Sequence, residues 1–108
     1  MARTHSRQTL DATHVLGLEI ARARRERRWT INELAERAGG SRITVRAAEA
    51  GTPTVAIGTM FELATILGID LYGARPAELP ELVSRQRDRL ALLPARMRGP
   101  ATPIDDDF

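Results

Sequence analysis

Apolar residues recur every three to four positions through most of this chain, and no stretch alternates in twos over a strand's length. That pattern predicts helices and no sheet. Leu16, Ile20 and Ala23 form a first stripe and predict a helix from about His14 to Arg28, capped by Asp11 or Thr13. Arg22, Arg25 and Glu26 fall on its outer face. Thr30-Ile31-Asn32-Glu33 has capping-box spacing: the threonine hydroxyl accepts from the Glu33 amide while the glutamate reaches back. A second helix follows, with Ile31, Leu34, Ala35 and Ala38 inward, and stops at Gly39-Gly40, where a glycine supplies a left-handed end. Ser41 caps a third helix, Arg42 to Ala50, closed by Gly51 and Pro53.

A fourth helix is expected from Ile57 to Leu67. Its apolar set (Ile57, Met60, Phe61, Leu63, Ala64, Ile66 and Leu67) is too wide for one face, which predicts burial on two sides. Gly68 closes it, and Ile69, Leu71 and Tyr72 continue the apolar surface. Pro80 suits the first turn of a fifth helix, Pro80 to Leu92, with Leu82, Val83 and Leu90 partly inward. Pro94, Gly99, Pro100 and Pro103 then oppose regular structure as far as Phe108. The expected fold class is all-α: five helices with an extended C-terminal tail. The expected division is a flexible segment over 1–11, a folded domain over 12–73, a C-terminal helix over 74–93 and a proline-rich acidic tail over 94–108.

A length of 108 residues allows one compact domain and excludes most multidomain enzymes. All 16 basic residues are arginine and the net charge is only +2, but its distribution is uneven. Residues 1–50 hold ten arginines against six acids, whereas residues 101–108 hold three aspartates and no arginine. A basic front and an acidic tip imply different partners for the two ends. Without cysteine there are no disulfides, thiolate zinc sites or cysteine nucleophiles. His5 and His14 lie apart from any ligand set, so no metal and no cofactor is expected. No catalytic constellation or phosphate-cradling loop falls on an ordered element, which points away from an enzyme. No run reaches membrane-spanning length, so no membrane association and a cytoplasmic, nucleoid-associated location are expected. At 4% aromatic residues the chain offers no stacking platform for single-stranded nucleic acid; Trp29, Met60 and Phe61 read as core.

Two short helices joined by a tight glycine turn, after an arginine-rich helix, form a helix-turn-helix pattern. Ala35 supplies the small residue wanted at the crossing, and Gly39 falls four residues later at the turn. Val45 and Ala48 point the third helix inward; Ile43 lies opposite, flanked by Arg46 and Ala47, with Arg42 at the N-terminal edge. The segment RRERRWTINELAERAGGSRITVRAAEAG and its continuation to Ile69 resemble the phage-repressor (Cro/C1, or XRE) helix-turn-helix family, a likeness that covers about residues 14–72.

That resemblance assigns base reading in double-stranded DNA to Arg42, Ile43, Arg46 and Ala47. Each arginine can donate bidentately to guanine, and Ile43 and Ala47 offer apolar contact to a thymine methyl. Ser41 and Thr44, with Thr30, Arg25 and Arg28, are the expected phosphate contacts. Arg22, Arg25, Arg27 and Arg28 read equally as a solvated face. Arg24 and Glu49 occupy the positions of a family ion pair that orients the third helix. Two departures stand out. Ile31 replaces a phosphate-binding glutamine, and Ala48 replaces a larger residue, which predicts a loosely held third helix.

Two-fold pairing on a palindromic operator implies a homodimer, with Ile66, Leu67, Ile69, Leu71 and Tyr72 as the expected seam; ordinary core is the other reading of that set. PTVAIGTMFELATILGIDLYG and the ending LALLPARMR…DDDF are similar to HipB-type antitoxins, repressors that restrain a HipA-like serine/threonine kinase toxin and autoregulate their operon. Ile104, Asp105, Asp106, Asp107 and Phe108 then read as a partner-docking tail, or else as a solubilising one. A stand-alone regulator of the same family, such as a prophage or restriction-modification controller, is the alternative.

Overall fold

The computed structural model describes residues 4–96; the expected docking residues Ile104 to Phe108 lie outside them. Five α-helices follow one another: α1 (Arg7–Glu26), α2 (Ile31–Ala38), α3 (Arg42–Glu49), α4 (Ile57–Ile66) and, after a short 3-10 turn (Pro76–Glu78), α5 (Leu79–Ala91). No strand occurs among the described residues, and the chain is all-α as the periodicity predicts; Leu71 and Ala74 form an isolated bridge.

Helix α1 begins well before the expected start. Ser6, not Asp11 or Thr13, is its cap, with the Ser6 hydroxyl accepting from the Thr9 amide at 3.2 Å. Thr13 lies inside the helix and turns its hydroxyl back to the Leu10 carbonyl at 3.0 Å. A threonine that satisfies itself on the preceding turn fits a helix interior, so the cap signal passes to Ser6. Residues 7–11 are therefore helical, not loose.

The described residues fall into two units, one up to Ala77 and one from Glu78 on. In the first, Ile20, Leu34, Val45 and Leu63 are fully buried and bring α1, α2, α3 and α4 onto one core with Ala23, Ala35, Ala48, Met60 and Leu67. Burying each large aliphatic side chain contributes about 1.5–3 kcal/mol. Trp29 packs on this core half-buried.

Among the described residues, the wide apolar set of α4 is not buried on two sides. Met60, Leu63 and Ala64 face the core, Phe61 is half-buried and Ile57 is exposed. Nor does the expected seam survive intact. Leu67 is 2% exposed and belongs to the core, and Leu71 is buried as well. Ile66 and Ile69 are half-buried against the core, leaving Tyr72 as the open member of the set. Tyr72 (φ 57°) and Gly73 (φ 72°) carry consecutive positive φ angles, while Leu71 and Ala74 exchange two backbone hydrogen bonds of 2.9 Å. This is the pattern of a tight two-residue hairpin turn. The Tyr72 ring meets Phe61 edge-on, with centroids 6.0 Å apart.

In the second unit, α5 carries Pro80 in its first turn, where a missing amide costs nothing. Leu79 and Leu82 are half-buried, but Val83 and Leu90, expected partly inward, are both exposed.

Candidate nucleic-acid interface

The turn between α2 and α3 follows from its sequence. Gly39 adopts φ 70° and ψ 27°, the left-handed region that other residues enter only at a cost. The Gly40 amide then donates to the Ala35 carbonyl at 2.9 Å and the Gly39 amide to the Glu36 carbonyl at 3.2 Å, closing the helix end. The Ser41 hydroxyl accepts from the Thr44 amide at 3.1 Å and starts α3. At the other end of α2, Glu33 donates its amide to the Thr30 hydroxyl at 3.0 Å, and the Thr30 amide donates to the Glu33 carboxylate at 2.7 Å. The expected capping box is present in full.

Helix α3 separates two faces. Val45 and Ala48 are fully buried, whereas Arg42, Arg46 and Ile43 (75% exposed) face solvent. Ala47, expected among the base readers, sits half-buried at the edge of that face. Among the described residues, no ion pair engages Arg42 or Arg46. Two free guanidiniums flanking one aliphatic side chain are suited to donate to guanine edges and to touch a thymine methyl. Ser41 and Thr44, the latter half-buried, place their hydroxyls 3.0 Å apart at the start of this face.

The Arg24–Glu49 pair forms as the family resemblance implied. Arg24 Nε donates to Glu49 Oε2 at 2.6 Å and Nη2 to Oε1 at 3.0 Å, a bidentate geometry. Nη1 reaches the Trp29 carbonyl at 2.8 Å. One guanidinium thereby joins α1, the end of α3 and the α1–α2 connection. Hydrogen bonding to Glu49, outweighing the burial that opposes it, raises the Arg24 pKa above its ordinary value. Arg24, 8% exposed, is the buried charged residue of the described chain.

The remaining arginines do not form one surface. Arg22 pairs with Glu26 on the exposed side of α1 at 3.5 Å. Arg27 donates to the Ala23 carbonyl and lies 5.7 Å from the Trp29 ring centroid. Arg25, expected at a phosphate, shares a shallow groove with Val15, Leu18 and Glu26. That groove lies on the outer side of α1, away from the buried side (Gly17, Ile20, Ala23 and Arg24) that packs on α3.

Arg28 is different. It follows α1 with φ 59°, at the left-handed position where glycine is usual. Its amide donates to the Arg25 carbonyl at 2.9 Å, and the next amide, of Trp29, to that of Arg24 at 3.1 Å.

Three features escaped the sequence reading. Arg37 stacks over the Trp29 ring at 4.0 Å; an aromatic just before a cap and an arginine in the helix's last turn are the available signal. Val15 and Leu18 are exposed aliphatics opposite the buried side of α1. Gly17 is buried, and a Cβ there would collide with the α3 backbone. Ala48 is thus not loosely packed. Gly17 brings α1 close enough to cover it completely, so the small side chain reflects a close approach of two backbones.

Among the described residues, no helix is long and apolar enough to cross a membrane, and no three histidine or carboxylate side chains cluster to hold a metal. Neither a curated protein nor a solved structure matches the chain. A family model, described as helix-turn-helix, matches residues 20–73, half of the 108 residues, and spans the capped α2, the glycine turn, the exposed face of α3 and α4. With its turn, caps and outward arginines in that register, the chain belongs to the XRE-type helix-turn-helix family, whose domain is a DNA-binding one.

Proposed function

We propose that this DNA-binding regulator is a sequence-specific repressor that reads double-stranded DNA as a homodimer. The observation that carries the reading is α3: buried through Val45 and Ala48, tied to α1 by Arg24 and Glu49, and open along Arg42, Ile43 and Arg46. In the major groove Arg42 and Arg46 donate to base edges and Ile43 packs on methyl groups. Arg28, Thr30 and Ser41 supply backbone contacts that fix register. One eight-residue helix reads only a few base pairs, so a palindrome and a second copy about 34–36 Å away complete the site. Within the earlier seam, Tyr72 keeps open surface. In the second unit, taken by itself, Val83 and Leu90 of α5 are exposed apolar residues that a second copy can cover, since a 13-residue helix with no buried residue needs packing to persist.

The finer reading is an antitoxin partnered with a HipA-like kinase, supported by the sequence likeness of residues 53–73 and of the chain's end to HipB-type proteins. The test begins with duplexes selected from a random library, bound by the wild type and by Arg42→Ala and Arg46→Ala. Each variant is expected to lose about 1–3 kcal/mol of discrimination at its own base position. Loss of affinity equal for selected and random duplexes would remove base reading from α3. A kinase reading frame beside the gene whose product co-purifies with this chain would mark the antitoxin; the absence of either would mark a stand-alone regulator.

A further inference from the structure

Helix α1 crosses the end of α3 with no side chain between them at two points. A Cβ added to Gly17 would lie 2.5 Å from the Ala48 carbonyl oxygen, 2.7 Å from that of Glu49 and 2.9 Å from the Gly51 nitrogen. From the other side, a Cβ on Gly51 would lie 2.6 Å from the His14 Cα and 2.9 Å from its nitrogen. These neighbours are all backbone atoms and cannot rotate aside. Ordinary contact begins near 3.4 Å, so a methyl group at position 17 must part the two helices by about 1 Å.

We propose that Gly17 and Gly51 are positioning residues for DNA recognition: their backbone-on-backbone contact sets the pitch of α3 and hence how deeply Arg42 and Arg46 reach. This rests on the assignment of base reading to α3. The contact is at the C-terminal end of a helix only eight residues long, about 12 Å, whose other end carries Arg42. Val45 is held by the core near the middle, so lifting one end tilts the other. Hydrogen bonds to base edges tolerate a few tenths of an ångström before weakening, and recognition groups work within about 0.5 Å and 10–20° of their productive geometry. Charge attraction to phosphates is far more tolerant, because it falls slowly with distance and carries no register. A displaced α3 therefore loses base reading before it loses DNA.

The experiment compares wild type, Gly17→Ala and a control, Leu63→Ala, which destabilises the core away from the α1–α3 contact. Titrations use the duplex selected by the wild type and a random-sequence duplex, with the folded fraction of each protein fixed by circular dichroism. Gly17→Ala is expected to bind the selected duplex about tenfold or more weakly per folded molecule. Its affinity for the random duplex stays within about twofold. Its preferred bases, re-selected from the library, shift at the positions read by Arg42 and Arg46. Leu63→Ala, corrected for folded fraction, keeps the wild-type ratio of selected to random affinity. If Gly17→Ala does not fold, Gly51→Asn opens the same contact with a residue that accepts the left-handed backbone. Parallel loss on both duplexes, or no loss once unfolded protein is discounted, overturns the positioning role. So does failure of both variants to fold, because the contact is then a folding requirement alone. A wild type with no preferred duplex overturns the base-reading assignment first, a result distinct from any produced by the variants.

Discussion

Arg28→Gly should make the protein more stable and a poorer DNA binder. Arg28 holds φ 59°, and a side chain in that region costs about 1–2 kcal/mol, relieved by glycine. Glycine in turn loses more backbone entropy on folding, about 0.5–1 kcal/mol. The net gain is about 0.5–1 kcal/mol. Arg28 donates no side-chain hydrogen bond among the described residues, so little else is lost. In the proposed DNA reading, this arginine, two residues before the Thr30 cap of α2, is one of the phosphate contacts. Removing one phosphate contact lowers the slope of log affinity against log salt by about 0.9 per protomer. The wild type's advantage on DNA should then shrink by about three- to fourfold per protomer between roughly 50 and 200 mM salt. Urea unfolding followed by the fluorescence of Trp29, the single tryptophan, measures the first effect, and anisotropy titrations across salt measure the second. A variant less stable than wild type would refute the strain argument. An unchanged salt slope, with selected and random duplexes alike, would remove Arg28 from the phosphate set.

Other outcomes follow from the same geometry. Arg24→Met leaves the Glu49 carboxylate, 11% exposed, without its bidentate partner and should cost about 3–5 kcal/mol. In a double-mutant cycle with Glu49→Gln, the two losses should fall short of adding by about 1–3 kcal/mol; additivity would deny the coupling. Because the folded-state pKa of Arg24 is raised, its contribution is fully present below the ordinary arginine value and fades only in strong alkali. Arg24 therefore adds no pH dependence between about pH 6 and 9. Arg37→Ala removes a guanidinium 4.0 Å from the Trp29 ring and should cost about 0.5–1 kcal/mol with a shift in tryptophan emission; an unchanged spectrum counts against the stack. Leu90→Asp places a charge on the exposed apolar side of α5 and should weaken self-association in sedimentation equilibrium at least tenfold, while a wild type that is monomeric at every concentration would end the dimer proposal.

The charge pattern gains meaning from the fold. The arginine excess of the first 50 residues divides into separate tasks: Arg24 inside the structure, Arg22 in an exposed ion pair, Arg27 and Arg37 around Trp29, and Arg28, Arg42 and Arg46 left open. The arginine count overstates the surface available to DNA, because four of the ten, Arg22, Arg24, Arg27 and Arg37, have partners within the described residues.

Local rules alone determined where α2, α3 and α4 run, how the turn at Gly39 closes, which face of α3 is buried, and that Thr30 and Ser41 cap helices. Each of these depends on residues three or four positions apart, and sequence displays that range directly. The pairing of Arg24 with Glu49 was legible as well, but through likeness to a family, since nothing local links residues 25 positions apart. What only the tertiary structure decided involves surfaces distant in sequence. Thr13 lies within α1, Leu67 and Leu71 are covered while Tyr72 is not, Arg25 turns away from α3, and Gly17 offsets the small Ala48. An apolar stripe specifies that a face is buried, not what buries it or how closely the two backbones approach. That distance is set by whichever small residues meet at the crossing, so it emerges only when both helices are in place.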